Sequence, residues 1–327
     1  MAHRMILHKS KEFKDIIEAT AQKMNLRPVF IEKDYWVTYI LKQLSDSPYN
    51  TQIVFKGGTS LSKAYGFIDR FSEDIDLAVL SPANYSDGKM KALLKNVSAH
   101  ITKDLTLIDG HKKEIKFGRN RTTAYEYLKS LGEQNFRVMK DYVLLEINCS
   151  TNPVPHNRLP VQSYVGNFLR QYGEEDLVAE SGLESFTLNV LSAERTYFEK
   201  ALSLSRLSYE GIDTLKEKVR HFFDISCLQQ IPGLSKIHSH ASYEIIRAIR
   251  NDDANNRTMQ GEWMNHSISH APLFTTLEDT WKSIAPVYEK EMGQLVWSSI
   301  PTSDEVYVAF AALRSFMQTF DKEFPLE

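Results

Sequence analysis

Cysteine is nearly absent: the 327 residues contain two, Cys149 and Cys227, with no C-x-x-C spacing. A disulfide framework needs more than that, so a reducing compartment is expected. No apolar run approaches the ~20 residues of a membrane helix. The first eleven residues, with His3, Arg4, His8 and Lys9, lack the apolar stretch of a signal peptide. The expectation is a cytoplasmic protein with no membrane partner. Charge of one sign is not in excess either: Lys and Arg total 39, Asp and Glu total 42, and the formal net charge is -3. That balance excludes a chain coating nucleic acid over its whole surface, while leaving room for a local basic groove. Internal repeats and low-complexity tracts are missing. Hydrophobic residues, by contrast, make up 42% of the chain and aromatics 11%. This is enough for a sizeable core in one large domain or two ordinary ones, and too much for a disordered chain.

Periodicity divides the chain in two. Apolar residues at helical spacing predict helices over residues 12–24 (Phe13, Ile16, Ile17, Met24) and 31–44 (Trp36, Val37, Ile40, Leu41, Leu44). Residues 52–55 predict a short buried strand, broken by Gly57-Gly58. Thr59 or Ser60 is then the expected cap of a helix reaching residue 65. A second strand is predicted over 75–80, a helix over 90–105, and further strands over 114–117, 122–127 and 142–148, ending at the loop Asn152-Pro153-Val154-Pro155. From Ser192 onward helical periodicity dominates, around residues 198–204, 212–228, 243–249 and 306–320. The expected organisation is an α/β part with N-terminal helices over residues 1–190 and a helical part over 191–327, with the boundary near 185–192.

The stretch richest in chemistry is residues 55–80. It reads as strand, Gly57-Gly58-Thr59-Ser60, a short helix with Lys63, then Arg70-Phe71-Ser72-Glu73 and Asp74-Ile75-Asp76-Leu77. Two glycines after a strand let backbone N–H groups approach a phosphate closely, and a helix start adds positive potential. On a strand, Asp74 and Asp76 project to the same side. Paired carboxylates on one face are hard oxygen ligands of the kind Mg²⁺ or Mn²⁺ prefers. A phosphate cradle beside such a pair suits phosphoryl or nucleotidyl transfer. Each half alone is common in purely structural roles; joined within one strand–helix–strand unit they are far more specific. Residues 57–63 are not a Walker A loop, since the Gly-x4-Gly-Lys-Ser/Thr spacing is absent. The serine–lysine match Ser60-Leu61-Ser62-Lys63 lacks the companion motifs of penicillin-recognising enzymes.

These residues resemble the AbiEii/AbiGii toxin family of nucleotidyltransferases. The resemblance rests on Phe55-Lys56-Gly57-Gly58-Thr59-Ser60-Leu61-Ser62-Lys63-Ala64-Tyr65 followed by Arg70-Phe71-Ser72-Glu73-Asp74-Ile75-Asp76-Leu77. Glu32-Lys33-Asp34-Tyr35-Trp36, Glu194-Arg195-Thr196 with Glu199-Lys200, and Arg220-His221-Phe222-Phe223-Asp224 match further family stretches. It implies an α+β fold: a polymerase-β-like, nucleotidyltransferase-like mixed sheet flanked by helices, followed by a C-terminal helical bundle. It also implies that Gly57, Gly58, Thr59 and Ser60, with Lys63 and Ser72 close by, hold an NTP, and that Asp74 and Asp76 hold metal ions. A third carboxylate on a neighbouring strand is expected, and Glu146 is the candidate; an ordinary outward strand residue is the alternative. Lys200 and Asp224 match positions the family treats as functional. Lys200 can neutralise a triphosphate as a point charge, and Asp224 can orient Lys200 or take a proton from the attacking hydroxyl. A helix–helix salt bridge is the structural alternative. Arg220 and Asp224, at i and i+4, are also placed to orient each other.

The resemblance thus implies a metal-dependent nucleotidyltransferase, the toxin of a toxin–antitoxin pair, acting on a tRNA end or a protein hydroxyl and matched by a cognate antitoxin. The competing expectations are an NTP-dependent kinase and a non-catalytic GTP- or RNA-binding module. Outside the motifs, His111, Lys112, Lys113, Lys116, Arg119 and Arg121, extended by Arg137, Lys140, Arg158 and Arg170, could track an RNA backbone or form a solvated hairpin face. His238 and His240 suggest a metal, but an i, i+2 pair without a third ligand is more often a loop pair. Trp263, Trp281 and Trp297 are expected as core or groove aromatics.

Overall fold

Two apolar faces have to be buried in the first half of the chain: the stripes of its helices and the alternating residues of its strands. The computed structural model, which describes residues 6–72, 74–80, 85–116, 118–132, 140–256 and 259–326, shows how they meet. The chain forms two compact units, one of Met1–Tyr65 with Phe71–Leu191 and one of Gly66–Arg70 with Ser192–Glu327.

The first unit contains helices α1 (Phe13–Met24), α2 (Pro28–Ser45), α3 (Gly57–Lys63), α4 (Asp87–Ile101), α5 (Tyr164–Gln171) and α6 (Glu175–Ser181). Its strands are β1 (Ile53–Lys56), β2 (Asp74–Val79), β3 (Thr106–Ile108), β4 (Asn120–Glu126), β5 (Val143–Asn148), β6 (His156–Val161) and β7 (Phe186–Leu191). These form one mixed seven-stranded sheet in the order β3-β4-β5-β2-β1-β7-β6. β2 runs antiparallel to β1 and parallel to β5, and β1 runs parallel to β7. Side chains alternate along each strand, so the sheet has two distinct faces. Ile53, Phe55, Ile75, Leu77, Val143, Leu145 and Ile147 join Trp36, Ile40, Leu41, Leu94 and Val97 of the helices in one continuous core. The opposite face carries Lys56, Asp74, Asp76 and Glu146, so the polar residues of the central strands face away from that core.

The second unit is helical: α7 (Ala193–Leu207), α8 (Ile212–Lys216), α9 (Val219–Gln229), α10 (Tyr243–Asn255), α11 (Pro272–Thr275), α12 (Leu277–Leu295) and α13 (Ser303–Glu323). Helix α9 packs against α7, α12 and α13, burying Phe222, Phe223, Ile225 and Leu228. Phe222 stacks on Phe310 and lies against Trp281, with ring centroids 4.7 and 5.6 Å apart. The mixed sheet flanked by helices and the helical C-terminal region are those expected from the sequence.

Details differ. The strand expected over 114–117 is a single bridge between Ile115 and Thr122, and Phe117 lies outside the described residues. Residues 212–228 form two helices rather than one, because the backbone turns at Glu217 and Lys218. Neither Thr59 nor Ser60 caps α3: the helix starts directly after β1 at Gly57, with Lys56 in the cap position, and both hydroxyls are used elsewhere. No helix among the described residues is long and apolar enough to cross a membrane.

Candidate active site

The register of the sheet arranges the expected metal ligands. Lys56 pairs with Asp76 across β1–β2, Asp76 with Glu146 across β2–β5, and Glu146 with Thr122 across β5–β4. A polar row therefore crosses four adjacent strands on one face, with Asp74 two residues further along β2. Asp74, Asp76 and Glu146 are each half-buried.

Gly57 is where backbone and carboxylate come closest. Its φ is +79°, a region that favours glycine, and a Cβ there would lie 2.1 Å from Asp76 Oδ2. The bare Cα thus lets the turn and the Asp76 carboxylate share one place. The hydroxyls that follow hold the motif together. Thr59 donates to the Asp74 carbonyl oxygen at 2.5 Å and lies 2.8 Å from the Ser72 hydroxyl. Ser60 donates to the Gly57 carbonyl oxygen at 2.8 Å. Thr59 and Ser60 are fully buried; Thr59 braces the turn against β2, and Ser60 closes the first turn of α3 on Gly57. Glu73 lies outside the described residues.

Lys63 differs from expectation. Its ammonium is buried in an ion pair with Asp34 of α2 and lies over the Tyr164 ring, 5.0 Å from the centroid. The other oxygen of Asp34 accepts from the Tyr164 backbone N–H at 2.9 Å. The reason is helical geometry. Lys63 lies at the end of the helix opposite the glycine turn, and there it meets a buried carboxylate that requires a partner.

A lysine that the motifs did not single out is instead drawn to the carboxylate pair. Lys140 Nζ donates to both oxygens of Asp74, at 2.8 and 3.1 Å. Among the described residues, no three acidic, histidine or cysteine side chains converge into a preformed metal cluster. The donor set nonetheless suits a divalent ion that is completed by substrate: Mg²⁺ is commonly held by one or two carboxylates plus substrate phosphates, not by an all-protein cage.

Lys200 and Asp224 belong to the second unit, where they meet. Asp224, fully buried on α9, accepts from Arg70 Nε at 2.6 Å and from its terminal nitrogen at 2.7 Å, and Lys200 Nζ of α7 lies 3.0 Å away. Burial alone would raise the Asp224 pKa, but the charges of Arg70 and Lys200 overcome that and hold the carboxyl well below the usual carboxylate range. The expected partner Arg220 is not the one used. The i, i+4 pairing yields to Arg70, whose fork matches both carboxylate oxygens at once. Arg70 lies in the motif stretch just ahead of Asp74, but only the fold shows its partner. His221, next on α9, is kept neutral by burial and by the Lys200 charge, and its Nδ1 has no hydrogen-bond partner among the described residues. Arg195 bolts α7 to α10 through Asp252 at 2.6 Å and also meets Glu199 at 3.2 Å.

Part of the basic stretch is paired with acidic neighbours. Lys116 bridges Glu114 and Asp109, Arg119 faces Asp87, and Arg170 faces Glu175. Arg137 lies outside the described residues. His238 bonds the Tyr197 hydroxyl at 2.7 Å and His240 bonds Glu323 at 2.7 Å; two separate polar contacts thus replace a metal pair.

Comparison with known proteins adds three findings. No curated protein matches the sequence. Among solved structures, MenT4, a nucleotidyltransferase toxin from Mycobacterium tuberculosis, superposes with a TM-score of 0.45 at 13% identity, covering 93% of this chain and 97% of that one. The sequence pattern of the family described as "Nucleotidyl transferase AbiEii toxin, Type IV TA system" matches residues 39–297, well over half of the chain. The chain therefore belongs to the AbiEii family of nucleotidyltransferase toxins of type IV toxin–antitoxin systems.

Proposed function

We propose that the enzyme transfers a nucleoside monophosphate from an NTP to a hydroxyl of an RNA, such as a tRNA end, or of a protein, with Mg²⁺ or Mn²⁺ held at Asp74 and Asp76 and aided by Glu146. The observation carrying this reading is the Asp76 carboxylate laid against the bare Cα of Gly57, with Glu146 beside it in register. A phosphate approaching the backbone of residues 57–60 meets that carboxylate, and so meets any cation the carboxylate holds. A bound divalent ion supplies neutralisation of the triphosphate charge as pyrophosphate leaves. The acceptor oxygen bonds to the α-phosphorus, the bond to pyrophosphate breaks, and the hydroxyl proton passes to water.

Thr59 and Ser72 act as positioning groups that fix the start of β2 and hence Asp74. Within the second unit, Asp224 holds Lys200. A carboxyl kept this far below its ordinary range, with three donors on it, is too weak a base to take a proton at neutral pH. This favours the orienting role for Asp224 over the proton-accepting one. A cognate antitoxin, the partner that a toxin of this family implies, completes the reading.

The test uses full-length protein with Mg²⁺, each α-labelled NTP in turn, and either total RNA or cell protein. Label on an RNA or protein band, lost in the Asp74→Ala/Asp76→Ala double variant, is the expected result. Undiminished transfer by the double variant would sink the assignment. Label arriving only from γ-labelled NTP would make the enzyme a kinase.

A further inference from the structure

We propose that Lys140 is a built-in counter-cation that competes with the divalent metal for Asp74, so that metal binds tightly only together with nucleotide. The inference rests on the reading of Asp74 as a metal ligand. Lys140 Nζ spans both carboxylate oxygens, at 2.8 and 3.1 Å, so a metal ion arriving at Asp74 meets an ammonium already seated there. The two cations compete for the carboxylate, because like charges at such short range repel.

Lys140 is also held from behind. Lys33 of α2, fully buried, donates from its own Nζ to the backbone carbonyl oxygen of Lys140 at 2.9 Å and to that of Tyr142, and lies over the Tyr127 ring. A buried cation thus fixes the backbone from which the second cation reaches Asp74. Exposure then decides whether the contact can open. The Lys140 and Asp74 side chains are 24% and 29% exposed, and ion pairs that reach water hold weakly. A metal alone therefore has to compete with the lysine. A metal carrying the triphosphate brings extra contacts to the glycine turn and displaces the lysine more readily. Coupling of this kind is reciprocal: nucleotide tightens metal, and metal tightens nucleotide.

The experiment is Mn²⁺ titration of the full chain, reading free Mn²⁺ by electron paramagnetic resonance, with and without a non-hydrolysable NTP analogue. In the absence of nucleotide, K140M is expected to bind Mn²⁺ about twofold to fivefold more tightly than the parent. K140R should match the parent, and the difference should shrink once the analogue is bound. K140Q replaces K140M if the latter does not fold, and is expected to behave alike. D74N separates the two layers of argument. Weakened Mn²⁺ binding in D74N with unchanged affinity in the lysine variants overturns the counter-cation and leaves the metal site standing. Unchanged affinity in D74N overturns the metal assignment itself.

Discussion

Asp224 offers the sharpest test of the second unit, because its surroundings fix the size of the effect. The carboxylate is fully buried and satisfies two buried cations, Arg70 and Lys200. Asp224→Asn keeps the volume but removes the charge, leaving a guanidinium and an ammonium without their counter-ion. Breaking a buried pair in this way costs about 3–5 kcal/mol. Three of the four tryptophans, Trp263, Trp281 and Trp297, lie in the second unit, so urea unfolding followed by their fluorescence reports on it. The midpoint is expected to fall by about 1–2 M urea. A fall below roughly 0.3 M on the same scale would refute the triad as a stabilising contact. The pH dependence has a definite sign. The folded-state pKa is depressed, so the contribution is fully present above the unfolded value of about 3.9 and is lost as the pH falls further toward the folded value. The gap between parent and variant should therefore be constant from pH 6 to 8 and narrow in strong acid. Replacing the whole triad, Arg70→Met and Lys200→Met with Asp224→Leu, should recover much of the loss, since no charge is then left buried without a counter-ion. If Asp224 acts on the reaction only by holding Lys200, transfer by the Asp224→Asn/Lys200→Ala pair will be no slower than by Lys200→Ala alone.

Gly57→Ala places a methyl group 2.1 Å from Asp76 Oδ2 at a φ of +79°; stability should fall by only about 1–2 kcal/mol while nucleotide transfer drops at least about a hundredfold, each 1.4 kcal/mol of misplacement being worth tenfold. Transfer at the parental rate would show that Asp76 does not need its seat against the turn. His8 and His238 are both lowered to about 4 by burial. The unfolded chain protonates them first, so stability should be full above about pH 6.5 and decline as the pH falls from there toward 4. Urea midpoints at pH 7.5 and 5.0 measure the decline, His238→Gln should reduce it, and equal midpoints in the parent would contradict it.

The parts of this architecture legible in the sequence were those with strong local signals. A short apolar run marked β1, strand-like stretches marked β2, β4 and β5, and two adjacent glycines marked the turn at residue 57. The edges were missed for physical reasons. Strand β3 is three residues long, too short to show a period. Strand β6, His-Asn-Arg-Leu-Pro-Val, is a polar edge strand carrying a proline, which reads as a loop. Strand β7 falls at the change of texture that marks the boundary between the two parts. Helix α12 contains Pro286 and reads as interrupted. At the site, residue types were legible and partners were not. Motif order placed Asp74 and Asp76 on one strand, yet nothing local pairs Lys140 with Asp74 across 66 residues or Arg70 with Asp224 across 154. Long-range pairings of this kind depend on strand order and helix packing, which periodicity does not encode.

Helix α2 shows what such pairings do. Glu32, Lys33 and Asp34 are consecutive, and all three are buried, an arrangement that would be strongly destabilising without partners. Successive residues on a helix point about 100° apart, so each of the three faces a different neighbour. Glu32 accepts from the backbone N–H and hydroxyl of Ser130 at 2.5 and 2.7 Å. Lys33 holds the carbonyls of Lys140 and Tyr142 ahead of β5. Asp34 holds Lys63 at the end of α3 and the backbone N–H of Tyr164 at the start of α5. Apolar contacts could supply the same burial energy, but not the same register. A hydrogen-bonded charge accepts one partner in one place, whereas a leucine tolerates a slide of an ångström. The helix thus fixes the segment that leads Lys140 onto Asp74 and, through Lys63, the far end of the glycine-turn helix. Because two of its three charges act on the two halves of the candidate site, a substitution on α2, distant in sequence from Asp74 and Asp76, should alter how Asp74 and the glycine turn are presented to each other before it alters the fold of the sheet.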